Sequence, residues 1–495
     1  MKTFKYTLST MIITLFVAAC SSDYLNINED PNNPLSVSPD LILPVAQSYS
    51  AFIQESFKGQ NSLGNFMMYN WAESEGSVFY SAEFRYFVDP TFYSQNFDYT
   101  YANALKQYNA LNNLEGDEFG YYRAIGQVMM AYHFQLLVDT YGDVPYFEAL
   151  QRGGNITPKY DKAEEIYEDL IVQLSSAISL INSTASNSSI TPLMPGPDDV
   201  MFGGDMALWK RFANTVKLRI LVRLSDLPEK AEYIRNEFAV IAGEGSGFIE
   251  NDVEVQLGYI NEENRMNPKW AEFGQDAQGN NTIFNNATCA TPFVLDFLSG
   301  TQDPRIDFIY EKPVTGHLGV RQGQLYNTSG EGEFVSEKVS NMGMGILQEP
   351  GQAAVLYTAA ESYFNQAEAA LKGLMPGDAK SFYENGIQAS FSYLGAGDAS
   401  SYYCQNLNLV SWDSSLNKQE AIITQKWLAL NSIDAIQSWF DYSRTGYPSN
   451  LPVSDLATTP DRPVRLAYPS SEITANGENL PSQPNVFTDK IFWGN

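Results

Sequence analysis

The chain has 495 residues, 44% of them hydrophobic, which is ample for a large packed core. Its formal charge of −28 becomes −30 once Lys2 and Lys5 are discounted with the leader that holds them, a field that repels nucleic acid and other polyanions but does not penalise neutral ligands. Only His133 and His317 supply imidazoles, neither in an HExxH or HxH setting, which argues against a histidine-rich zinc site and leaves little for a Ser-His-Asp triad.

Residues 1–19 read as a secretory leader, with Lys2 and Lys5 ahead of an apolar run from Met11 to Ala19, and Val17-Ala18-Ala19-Cys20 forms a lipobox. The run is well short of the ~18 residues that a spanning helix requires. Cleavage before Cys20 leaves a terminal thiol for lipid, and several acyl chains give the stable anchoring that one chain does not. Residues 20–37, polar and rich in turn formers, read as a flexible tether, and 38–495 as a single domain.

From 38 to 241 helical periodicity dominates. Asp161 and Glu164 predict a capping-box start, and Ile166, Leu170, Leu174, Ile178 and Ile181 then share one face. Trp209, Phe212, Val216, Ile220 and Leu224 mark a second helix, with Lys210, Arg211, Lys217 and Arg223 mostly on its other side. From 242 to 351 the period fades among Gly and Asn, with short alternating pieces such as Val253 to Leu257, and the stretch reads as a loop-rich insert. Helices resume over 352–447, at Ala353–Leu371 with Gly373 suited to a C-terminal cap, at Ala379–Tyr393 and at Lys418–Phe440. The proline-rich final fifty residues read as extended or looped. The expected fold is mainly α, a tetratricopeptide-like helix-pair scaffold with an irregular ligand-binding insert, although no 34-residue repeat is legible. Cys289 and Cys404 could pair or remain buried free thiols.

Two stretches have the composition of a sugar site, in which flat aromatic rings meet the apolar faces of sugars and amides or carboxylates meet the hydroxyls. Phe66 to Tyr101 holds thirteen aromatics, one basic residue (Arg85) and five acidic ones. That balance disfavours single-stranded nucleic acid. Its candidates are Trp71, Tyr80, Tyr86 and Tyr93. The second stretch, Tyr259 to Phe293, offers Tyr259, Asn261, Arg265, Trp270, Phe284 and Asn286 on loops, where binding groups tend to be placed. Trp71 and Trp270 are the foremost expected platforms, with Asn261, Arg265 and Asn286 on hydroxyls. For any single aromatic the competing reading is core packing.

Several phrases in order along the chain resemble the SusD/RagB family of nutrient-binding outer-membrane lipoproteins, in its SusD-like branch. They include Asp23 to Pro34, Leu137-Val-Asp-Thr-Tyr-Gly-Asp-Val-Pro-Tyr-Phe-Glu-Ala149, Asp198 to Asn214, Lys217-Leu-Arg219 with Arg223, Asp303-Pro-Arg305, Ala360 to Ala369, Ile422 to Trp427, Trp439 to Pro448 and Arg465 to Pro469. The resemblance implies a tetratricopeptide-like scaffold, a variable loop-rich ligand face, and a partnership with a SusC-like TonB-dependent transporter to which oligosaccharides, less often peptides, are delivered. No catalytic residue, cofactor or metal ligand is expected. Tyr442-Ser443-Arg444 departs from the resemblance, since family members often carry two adjacent arginines there. The matched motifs read as scaffold: Tyr141-Gly142-Asp143 as a helix exit, and Arg219 and Arg223 as partners of carboxylates on neighbouring helices.

The rival readings are a peptide-binding subunit, a structural subunit of the transporter, and a surface glycoside hydrolase, for which two carboxylates suffice. Asp139 with Asp143, or Asp198 with Asp199, are pairs without specificity that fit capping or ion pairing better. Gly343-Met-Gly345 and Gly245-Ser-Gly247 lack the spacing of a dinucleotide fingerprint.

Overall fold

A computed structural model describes residues 37–326 and 332–494; the leader, Cys20 and nearly all of the tether lie outside them. The amphipathic spacing of Ala163–Ser186 buries Ile166, Leu170, Leu174, Ile178 and Ile181 against its helical partner, Gly120–Tyr141. That partner is buried on nearly every side, as an apolar helix threading a core must be. It stops at Gly142, whose φ of 78° is open to glycine, and Val144–Pro145 then pairs with Tyr160–Asp161.

The capping-box expectation fails. Asp161 instead accepts the backbone N–H groups of Tyr146 and Phe147, each at 2.8 Å. The cap comes from Asp143, which accepts Ala163 N–H at 2.9 Å, so the helix start depends on the strand pairing rather than on its own first turn.

Met206–Arg223 is capped by Asp205, which accepts from Ala207 and Leu208. Lys210 and Arg211 remain partly exposed, but Lys217 and Arg223, expected on the outer side, are buried. The reason is that this helix packs against Gly120–Tyr141, Ala163–Ser186 and Ala359–Leu371 at once. Each buried cation of this helix has a carboxylate partner. Lys217 meets Glu237 at 2.9 Å, Arg219 donates twice to Glu361 at 2.8 and 2.7 Å, and Arg223 pairs with Asp441. Arg444, where the motif departs from the resemblance, donates to both oxygens of Glu368 at 2.7 and 2.8 Å. The Arg219–Glu361 and Arg223–Asp441 pairs join the N-terminal scaffold to the C-terminal one. Removing one partner strands a buried charge, which is far more costly than removing both.

Two expected helices divide. Ala354–Tyr357 is a strand paired antiparallel with Val253–Val255 of the insert, and the helix begins at Ala359 behind a Thr358 cap. Lys418–Phe440 breaks into Lys418–Leu430 and Ala435–Thr445. At the break, Ser432 N–H donates to Asn65 Oδ1 and Ala435 N–H to Asn61 Oδ1, so the helix Gln60–Met67 supplies its caps from a distance. The insert is irregular as expected, yet carries short helices at Pro268–Phe273, Ile283–Ala287, Pro292–Gly300 and Ile306–Ile309. Its strand Thr288–Ala290 pairs with Trp71–Glu73, in register Trp71 to Ala290. Cys289 is buried, Cys404 is exposed, and they do not pair.

The fold is thus mainly α; among the described residues there are three two-stranded sheets, two of which fasten the insert to the scaffold while Val144–Pro145 with Tyr160–Asp161 lies within the scaffold itself. No helix among the described residues is long and apolar enough to cross a membrane.

Candidate functional site

Where the insert meets the first scaffold helix there is a groove of about 580 Å³. One wall is Ser48, Tyr49, Phe52 and Ser56, which recur at helical spacing along Pro39–Glu55 and just past its end. The second is Tyr99 and Asn103, four residues apart where the helix Gln95–Tyr99 runs into the π-helical turn Thr100–Leu105. The third is the insert from Leu257 to Glu272, contributing Leu257, Tyr259, Asn264, Met266, Pro268, Ala271 and Glu272.

Phe52 and Tyr99, from two of these walls, touch each other with ring centroids 5.7 Å apart and planes inclined at 47°. They are 38% and 39% exposed, unusual for aromatics that already touch. Each therefore keeps part of a flat apolar face in water, beside the amides of Asn103 and Asn264 and the hydroxyl of Ser48. This is what a sugar ring or an extended peptide can use: apolar area for stacking, with hydrogen-bonding groups at its edge.

The insert wall is held from below. Glu55 ends the first helix, fully buried, with Lys269 Nζ 3.1 Å away and equally buried. The same carboxylate accepts Asn267 Nδ2 at 2.9 Å and Val355 N–H at 3.0 Å. Asn267 in turn caps Pro268–Phe273 by accepting Trp270 N–H at 2.9 Å. Above it, Ile260 N–H donates to the Arg265 carbonyl at 2.9 Å, closing a tight loop in which Asn264 takes a φ of 61°, a conformation that asparagine tolerates.

Among the lining residues Glu272 alone is charged. Burial pushes its carboxyl above the usual range. Burial, and then the nearby Glu55 charge, raises the Tyr259 phenol as well. The Tyr259 and Ser56 hydroxyls are buried without hydrogen-bond partners among the described residues.

The structure divides the sequence candidates. Tyr259 lines the groove, and Asn261 and Arg265 belong to the loop beside it, with Arg265 held by an exposed ion pair to Glu262 at 2.7 Å. Trp270, Phe284 and Asn286 lie outside the lining. The Trp270 indole N–H donates to the Gln275 carbonyl at 3.0 Å, and Phe284 stacks on Phe57 at 3.9 Å. Asn286 accepts from Asn281 at 3.3 Å.

Trp71, Tyr80, Tyr86 and Tyr93 require a correction: all four are buried and present no open face. Trp71 donates its indole N–H to Ser432 Oγ at 2.8 Å, Tyr80 bonds to Thr288, Tyr86 lies under Arg462 and Tyr93 under Lys58. These four rings are core, with Phe66 and Phe273 packed on Trp71. Of the groove aromatics, Tyr99 lies in the Phe66–Tyr101 stretch without being one of its named candidates, and Tyr49 and Phe52 lie outside both stretches. Their signal is a first helix that is apolar on two faces, with Leu43, Ala46 and Ile53 buried but Leu41, Val45 and Phe52 exposed.

The carboxylate pairs considered for hydrolysis have structural partners. Asp139 accepts Trp493 Nε1 at 2.9 Å, Asp143 caps Ala163, Asp198 accepts the Tyr122 hydroxyl at 2.8 Å, and Asp199 accepts Trp209 Nε1 at 2.8 Å. A Ser340–His317–Asp307 chain does occur, with 2.9 and 2.7 Å between successive groups. Ser340 is fully buried and its hydroxyl accepts Leu318 N–H, so no nucleophile faces solvent there. Among the described residues no group of three or more His, Cys, Asp or Glu is placed to hold a metal ion.

Similarity to known proteins agrees with this architecture. No curated protein matches the chain. A chitin-binding protein of known structure superposes with a TM-score of 0.69 at 23% identity, over 92% of this chain and 100% of the other. A SusD homologue from Bacteroides vulgatus gives 0.73 at 21%, over 92% and 97%. A chitin-binding SusD homologue from Flavobacterium johnsoniae gives 0.74 at 20%, over 92% and 98%. At these identities the likeness establishes the fold. Residues 31–469 match the model of a SusD-like family described as starch-binding and associating with the outer membrane, and the chain belongs to that family.

Proposed function

We propose that this protein is a cell-surface lipoprotein, anchored through lipid on Cys20 to the outer membrane, that captures an oligosaccharide and delivers it unaltered to a SusC-like TonB-dependent transporter. The observation that carries the reading is the groove between the first scaffold helix and the insert, with Phe52 and Tyr99 open to solvent, amide side chains at their edges and a buried ion pair fixing the third wall. Preformed aromatic surfaces of this kind reduce the ordering cost of binding a flexible glycan. The family description and the two relatives named for chitin binding support the ligand class. The lipobox and the short apolar leader support the anchor.

The test is isothermal titration of the mature, lipid-free protein against plant, host and microbial oligosaccharides and a set of peptides, with chromatography of the same samples. Saturable binding of a glycan that emerges uncut is expected. Cleavage products, or binding of peptides alone, contradict the reading.

A further inference from the structure

A ligand-binding groove on a strongly acidic protein is expected to use some cation if its ligand is anionic. Here no lysine, arginine or histidine lines the groove, and Glu272 supplies its one charge. The Glu272 carboxylate makes no hydrogen bond or ion pair with any described residue, although neighbouring groups are well engaged: the Glu272 carbonyl accepts the Thr282 hydroxyl at 2.6 Å, and Lys269 is committed to Glu55. On the same lining, the Ser56 and Tyr259 hydroxyls are buried and unpartnered. Those two hydroxyls are closed off from the groove, so the half-buried Glu272 carboxylate is the acceptor that a ligand there can meet.

We propose that Glu272 determines specificity in this groove: its carboxylate accepts a pair of hydroxyl or amide hydrogens from an uncharged glycan and repels glycans that carry carboxylate or sulfate groups. The inference rests on the glycan reading of the groove. A carboxylate has acceptor capacity for two donors at once, and hydrogen bonds to an ionised acceptor are about twice as strong as neutral ones. The same charge, half-buried and unopposed, makes a second negative group in the groove costly. Phe52 and Tyr99 then hold the sugar faces, and Glu272 sets which polar edge is accepted.

The experiment compares wild type, Glu272→Gln and the double variant Phe52→Ala/Tyr99→Ala by titration with maltohexaose, chitohexaose, cellohexaose and xylohexaose as uncharged probes, and with an oligogalacturonate and a sulfated oligosaccharide as anionic ones. Wild type is expected to bind at least one uncharged probe and neither anionic one. Glu272→Gln is expected to keep the fold, because the carboxylate has no internal partner, while weakening the uncharged ligand about tenfold and narrowing the discrimination against galacturonate. If Glu272→Gln binds like wild type while the double aromatic variant loses the ligand, the groove stands and the role of Glu272 is overturned. Binding of an anionic probe by wild type that the double variant loses has the same meaning. If no uncharged probe binds, or the double variant binds as wild type does, the groove reading itself falls.

Discussion

Lys269 lies in the insert and Glu55 at the end of the first scaffold helix, yet their charged groups are 3.1 Å apart with both side chains fully buried. This pair holds the wall of the groove, because Lys269 opens the short helix Pro268–Phe273 that carries the lining residues Ala271 and Glu272. Lys269→Met leaves the Glu55 carboxylate buried without its cation, which costs about 3–5 kcal/mol. Urea unfolding is expected to show that loss, and glycan affinity is expected to fall with it. Adding Glu55→Gln recovers part of the stability, since the stranded charge is then gone. Equal stabilities for the single variant and wild type contradict the assignment.

Trp71 is a core residue, and its indole N–H donates to Ser432 Oγ at 2.8 Å. Trp71→Phe removes that bond and some volume, for a loss of about 1–3 kcal/mol. Glycan affinity of the folded variant is expected to equal that of wild type. A selective loss of binding with stability intact restores Trp71 as a platform and contradicts the burial argument.

Gly64 marks the closest approach between Gln60–Met67 and Ala435–Thr445: a Cβ there sits 2.1 Å from the Ile436 nitrogen, so backbone must move to admit it. Gly64→Ala is expected to destabilise by about 1–3 kcal/mol, read as a lower urea midpoint with unchanged slope.

His133 is fully buried, with Nε2 2.7 Å from Ser50 Oγ, and burial holds its imidazole at about 3. Its folded value lies below the unfolded one, so the unfolded chain takes up the proton first. The contribution is intact above pH 6.5 and is lost as pH falls toward 3, amounting to about 3 kcal/mol by pH 4. Glu368 adds a loss lower down: burial pushes its carboxyl up, but Arg444 and Lys372 outweigh that and hold it at about 2, so its share disappears between pH 4.5 and 2. His133→Gln is expected to flatten the pH dependence of stability between 6.5 and 4. An unchanged slope in that window contradicts the assignment.

Residues whose structure follows from their own periodicity were legible in the sequence. Ile166 to Ile181 predicted a face because an amphipathic helix against a core must bury one, and Gly142 predicted a helix exit because its backbone conformation favours glycine. Asp161 was misread because Asp143, eighteen residues upstream, takes the capping role through strand pairing. Lys217 looks like a surface residue because the sequence does not display the Glu237 carboxylate, whereas Arg219 and Arg223 pair with Glu361 and Asp441 of neighbouring helices, as their one-turn spacing suggests. The same limit governed the site. Dense aromatics at 66–101 suggest platforms, but a ring becomes a platform only when nothing covers it: Phe66 and Phe273 pack on Trp71, whereas Tyr99 of the same stretch stays partly open. Phe52 and Tyr99, separated by 47 residues, show their relation only after two helices have packed.

The central claim is that the open ring pair binds the ligand, and the most direct measurement is the affinity of Phe52→Ala/Tyr99→Ala, relative to wild type, for whichever oligosaccharide the wild type binds. Each lost ring is expected to cost about tenfold, so binding should weaken about a hundredfold or vanish while the melting temperature stays close to that of wild type. Undiminished affinity in a folded double variant contradicts the account and places the ligand elsewhere on the protein.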